Sequence, residues 1–144
     1  MPKHIASLIL LSVLNIHLVG CGYFSSGKWE DDPNNWKRAW GYSKPSEIVM
    51  IHSWYCRSPH WTREEVYFFQ FKWHKELFQQ LVDRNDMHLC TDSGKNIQES
   101  TFCVDKPVWF IPKPESAYDI WKGSNCLLFK EKSNNEIFLY ACQL

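Results

Sequence analysis

The first twenty-one residues constrain this chain most, because they decide how much of it is left to fold. Met1-Pro2-Lys3-His4 is a short polar start with one lysine. Ile5 to Val19 is apolar apart from Ser7, Ser12, Asn15 and His17, and Leu18-Val19-Gly20-Cys21 closes the run. A charged start, an apolar middle and a small residue at the end mark a secretory signal peptide. A membrane-spanning helix needs about 20 predominantly apolar residues, more than this stretch supplies. Residues 1–20 are therefore expected to be removed, 21–30 to form a Gly/Ser-containing tether, and 31–144 to fold as a single domain.

Leu18-Val19-Gly20-Cys21 also resembles the box of bacterial lipoproteins, which is an apolar residue, a variable small one, Gly or Ala, then Cys. The resemblance implies that the Cys21 thiol takes a diacylglycerol, that cleavage falls before it, and that the new amine is acylated with a chain such as palmitate. Two or three acyl chains anchor stably where one binds reversibly. Gly22 rather than Asp follows Cys21. In Gram-negative lipoproteins this implies transfer to the outer membrane, with the domain facing the periplasm. The alternative is an ordinary secretory peptide with an incidental Cys21.

The remaining 124 residues carry 15 basic and 16 acidic side chains. That balance offers neither the basic excess of a nucleic-acid surface nor a polybasic membrane patch. All 8 Trp, 9 Phe and 6 Tyr lie after residue 20, enough large side chains to give a short chain a firm core.

The elements follow from periodicity. Asp32, Pro33 and Gly41 frame a short helix in which Trp36 and Trp40 share a face. Glu47 to Tyr55 reads as a central strand, with Ile48, Met50, His52 and Trp54 on one side. Residues 65–71 are ambiguous. Thr62 with Glu65 fits a capping box for one long helix, whereas Val66-Tyr67-Phe68-Phe69 suits a strand followed by a helix from about residue 72. The second reading is preferred. Met87–Thr91 and Gln98–Asp105 read as strands around a turn at 92–96, Lys106–Pro114 as an edge strand, and Ser116–Gly123 as one or two helical turns. The expected fold class is α+β: a small antiparallel sheet with one main helix, stapled by disulfides.

The disulfides come from the cysteine count. With Cys21 lipidated, five of the six cysteines remain in an oxidising compartment, giving two bridges and one leftover thiol; otherwise three pairs are open. In the last hairpin, a three-residue loop at Ser133-Asn134-Asn135 places Leu128 opposite Tyr140 and Cys126 opposite Cys142. A bridge there closes about 16 residues and is worth roughly 3 kcal/mol in the chain-entropy picture. Cys90–Cys103 is the plausible second pair and Cys56 the remainder, although sequence alone does not fix pairing.

Candidate chemistry is thin. His52, Cys56 and His60 are zinc-type ligands, but at no familiar spacing, and Pro59 rules out one continuous helix. A Cys56–histidine nucleophile lacks any flanking catalytic signature. Asp31, Asp32 and Asp119 suit capping and solvated roles better than acid catalysis. No cofactor or metal motif is present. The segment Ser53–Thr62 holds two Trp, a Tyr, an Arg and a His within ten residues. Trp54, Tyr55, Arg57, His60 and Trp61 are therefore the expected protein-contact residues, since Trp, Tyr and Arg dominate interface energetics. Binding or blocking is expected rather than catalysis.

The chain is also similar, in Ser58-Pro59-His60-Trp61-Thr62 and its Trp-rich body, to small Gram-negative lipoproteins of uncharacterised activity. Some small periplasmic lipoproteins are immunity proteins that neutralise a toxin delivered by neighbouring cells, commonly through type VI secretion. The resemblance implies a toxin-binding role, with a membrane contact through Cys21 and no nucleic-acid partner. Two other classes compete: an assembly lipoprotein of the outer membrane or of a secretion machine, and a small periplasmic enzyme.

Overall fold

The computed structural model describes residues 26–59, 64–90 and 102–143. Cys21, His60, Trp61 and the leader lie outside them. Within the described residues, β1 (Gly27–Glu30), β2 (Met50–Arg57), β3 (Glu65–Lys72), β4 (His88–Leu89), β5 (Tyr118–Lys122), β6 (Cys126–Glu131) and β7 (Glu136–Gln143) form one antiparallel sheet. Its order is β1-β2-β3-β7-β6-β5-β4. Helix α1 (Asn35–Trp40) and the main helix α2 (Lys75–Arg84) complete the α+β fold. Gly27–Glu30, expected within the tether, is thus the first strand.

The sheet is buried on both faces, which explains why β3 and β7 are apolar almost throughout. On the first face Tyr67, Phe69, Phe71, Ile137 and Leu139 meet Trp36 of α1 and Leu77 and Leu81 of α2. On the second face Val66, Phe68, Phe129, Phe138 and Tyr140 lie under Phe102 and Phe110 of a non-regular covering segment. β3 runs antiparallel between β2 and β7, where consecutive large side chains serve opposite cores. Its alternative as a helix would have aimed them all round the axis. Glu65, read as part of a capping box, lies in this strand.

Local signals place both helices. Gly41, at φ 77, closes α1, and the Trp36 and Trp40 rings pack at a 44° tilt with centroids 4.1 Å apart. The N-cap is Asn34 rather than Asp32; Asp32 Oδ1 instead accepts the Asn34 N–H at 2.8 Å. His74 caps α2 by accepting the Leu77 N–H at 3.3 Å.

Three expected elements differ. Tyr118–Lys122, read as helical turns, is strand β5 after a single 3-10 turn at Glu115–Ala117. Tyr118 is buried in the second core, and pairing with β6 outweighs the helical signals. The run 106–114 crosses the second face as a loop instead of pairing as an edge strand. Residues 102–105 are likewise irregular, and β4 pairs with β5.

The expected staples are also overturned. In the last hairpin Cys126 faces Ala141 and Leu128 faces Leu139, one residue out of the anticipated register. The turn spans 132–135, with Asn135 at φ 55 and the Glu136 N–H bonded to Asn134 Oδ1 at 3.1 Å. A one-residue slip sends each side chain to the opposite face. Cys126 therefore joins the first core and Cys142 the second, so the sheet itself separates them. Cys90 is exposed beside β5, where its N–H donates to Ile120 O at 2.8 Å. Cys103 sits instead against Cys142, with sulfurs 2.7 Å apart, whereas a disulfide holds them at about 2.05 Å. The five described cysteines are free thiols. Two aromatic cores, not bridges, hold this α+β sheet.

Candidate functional site

Strand alternation separates the residues expected to form one contact surface. Trp54 is half-buried on the second face, edge-on to Phe68 at 5.5 Å. Tyr55 is fully buried on the first. Its hydroxyl accepts from Arg57 Nη2 at 2.9 Å, and Arg57 Nε donates to Glu65 Oε1 at 3.1 Å. Burial pushes the Tyr55 phenol up to about 12; the Glu65 carboxylate adds to the shift and Arg57 opposes it. Arg57 is thereby committed to keeping Glu65 paired where an unpaired carboxylate would be costly. The Tyr55 hydroxyl and the Arg57 guanidinium are thus engaged with each other and with Glu65.

What the fold does bring together is a ledge on the second face. Asp31 follows β1 at φ 49, and its carboxylate accepts the Ser53 N–H at 2.8 Å. The same carboxylate meets His52 Nδ1 at 3.1 Å, fixing the imidazole. The His52 ring stacks on Trp109, 5.2 Å between centroids at 22°. A bulge between Met50 and His52 makes this possible, because it turns Met50 to the first core and leaves His52 and Trp54 on the second face.

Trp109 belongs to a loop pinned by its neighbour. Phe110 is completely buried, with ring centroids 4.8 Å from Phe68 and 5.8 Å from both Phe129 and Phe138. Its N–H donates to Pro107 O at 2.9 Å, and Lys106 Nζ donates to its carbonyl at 3.3 Å. Ile111 follows at φ 43, a sharp turn for a β-branched residue. The outcome is that Val108 stands 93% exposed at the crest of a firmly anchored loop. These residues fall in the run expected as an edge strand. Pro107 and Pro112 were the available sign of an irregular crossing, and Phe110 between them was the sign of an anchor.

A depression of about 250 Å³ lies at the other side of β2, between Asp31, Asp32, Trp36, Lys44, Met50 and Ser53. Its polar groups are largely engaged by the protein. Arg38 pairs with Asp32 at 3.0 Å, and its hydrogen bond, with help from the Asn34 amide, holds that carboxyl below the usual range. Buried Asn35 donates to Ser53 Oγ at 3.1 Å and to Trp29 O at 3.0 Å. Lys44 Nζ reaches the Pro45 and Ile48 carbonyls. The Asn35–Ser53 bond ties α1 to β2.

For chemistry, the Asp31–His52 pair is a carboxylate orienting an imidazole, as in acid–base centres. Among the described residues Asp31 is the only polar partner of His52, and no three His, Cys, Asp or Glu side chains gather as a metal site. Cys56 lies further along β2, opposite Val66 and Lys28. Asp119 is in β5, 3.7 Å from Lys132 Nζ. Comparisons with protein-family models, with curated proteins and with solved structures found no match for the chain.

Proposed function

We propose that this chain acts by binding another protein, and that the protein it binds is a toxin which it neutralises at the periplasmic face of the outer membrane, held there through a lipidated Cys21. The observation that carries the binding reading is the Val108 ledge. An isolated exposed apolar side chain is ordinary on a protein surface. This one is held at the crest of a loop locked by Phe110 and flanked by half-buried Trp109 and Ile111. Rigid apolar and aromatic groups next to one another suit a contact made with little loss of conformational freedom. His52, fixed between Asp31 and Trp109, adds a polar group beside the same loop. The toxin assignment rests on the leader and the lipoprotein-like box rather than on the ledge.

The test is capture of partners by the tagged full chain and by its Val108→Glu variant from a detergent extract of the native membranes, with mass spectrometry of the partners and of the mature N-terminus. The proposal expects one stoichiometric partner, lost by the variant, that is toxic when expressed alone in the periplasm and harmless when this chain is co-expressed. Recovery of envelope-machine subunits would instead assign the chain to assembly. An unmodified Cys21 would remove the lipid anchor.

A further inference from the structure

Strand β1 ends the sheet, and among the described residues no strand pairs with its outer side. The direction of its backbone groups follows from one bond. Asp31 N–H donates inward to Ser53 O at 2.7 Å. Backbone groups alternate sides along an antiparallel strand, so Trp29 and Gly27, paired with Tyr55 and Arg57, also aim inward. Lys28 and Glu30 aim their N–H and C=O groups outward. Both residues are exposed, and neither has an ion pair among the described residues. The Trp29 ring does not lie across this outer edge. It folds back along its own strand, so close to Gly27 that a Cβ there would meet ring carbons at 2.7 Å. Arg38 lies over the ring at 4.6 Å, and Tyr55 packs at 5.8 Å.

Charged side chains on an edge ordinarily discourage pairing with another strand. Here the two charges are opposite in sign and symmetric about Trp29. We propose that β1 is a self-pairing edge: a second copy of this chain adds its own β1 antiparallel, across a two-fold axis at Trp29. In that register Lys28 of each copy faces Glu30 of the other, and the outward backbone groups of both residues are satisfied. Pairings centred on Lys28 or on Glu30 put like charges face to face, as does a parallel arrangement. The charge pattern therefore selects one register and one partner, with the isologous symmetry of a two-fold dimer. β1 has only four residues, so the contact is small beside the ~1,000 Å² of a durable interface. The dimer is accordingly weak and reversible. Its contact is made by β1.

Charge reversal tests the register directly. The full chain in mild detergent is followed by sedimentation over a concentration series, together with Lys28→Glu, Glu30→Lys and the double variant. Both residues are exposed, so the variants fold as the parent does. The proposal expects concentration-dependent dimers for the parent and the double variant, and a dissociation constant raised roughly tenfold or more by either single change. An equimolar mixture of the two single variants should recover dimer, because each chain then presents two charges opposite to its partner's. A parent that stays monomeric throughout overturns the proposal. So does a dimer indifferent to both reversals, or a mixture that fails to recover association.

Discussion

Replacing Phe110 by Ala should be among the most damaging single changes outside the sheet, while the change two residues earlier should be nearly silent. Phe110 is completely buried and contacts the rings of Phe68, Phe129 and Phe138 from above the second face. Truncating a buried Phe to Ala costs about 3–5 kcal/mol when the neighbours cannot collapse into the space. Collapse is difficult here, because those rings sit on strands whose positions are fixed by pairing on both sides. The upper half of the range is therefore expected. Val108 is 93% exposed, so Val108→Ala should stay within about 0.5 kcal/mol of the parent. Urea unfolding followed by far-UV circular dichroism measures both. With a slope of about 2 kcal/mol per molar, Phe110→Ala should lower the midpoint by roughly 2 M. A loss below about 1 kcal/mol, or equal losses for the two variants, would refute the reasoning that Phe110 anchors the loop.

Other outcomes follow from single contacts. Burial alone would raise the Glu131 carboxyl, but hydrogen bonds from Lys113 and Ser133 overcome it and hold the group below its ordinary 4.5; Lys72 and Gln70 do the same for Glu136. Depressed carboxylates stabilise above that ordinary value, and the gain is lost as pH falls through their folded values. Glu131→Gln should therefore be less stable than the parent near neutrality, with the gap closing below about pH 4.5 in an acid titration. Gly41 at φ 77 has open space around it, so Gly41→Ala meets only the backbone penalty and should cost about 1 kcal/mol by chemical denaturation. Thiol titration should separate the cysteines. Burial raises the Cys126 and Cys142 thiols, so both should react slowly while exposed Cys90 reacts fast, and denaturation should release all of them.

The sequence made some of this fold readable and hid the rest for identifiable reasons. Gly41 and the Trp36–Trp40 spacing locate α1, and the run from Glu65 to Phe71 favours a strand before a helix. The final hairpin was evident from its two apolar runs and the Ser133-Asn134-Asn135 turn. Its register was not, because a left-handed Asn135 lengthens the turn by one residue, and period-two patterns carry no marker of a one-residue slip when both faces are apolar. That slip alone removed the expected Cys126–Cys142 pairing. Tyr118–Lys122 looked helical because its aromatic spacing matches a turn, while the strand it joins lies next in sequence. The ledge was hidden further. It depends on a bulge at Met50/His52 and on contacts between residues 31, 52 and 109, which no local pattern links. The expected contact group was read from residue types crowded together in sequence. The alternation of β2 divides it, sending Tyr55 into one core and Trp54 toward the other.

The most direct test of the binding claim is hydrogen exchange of the full chain with and without its captured partner. Exchange reads backbone opening segment by segment. Partner binding should slow exchange at residues 104–111 and leave α2 unchanged. Protection confined to α2, or none within 104–111, would contradict the ledge as the binding surface.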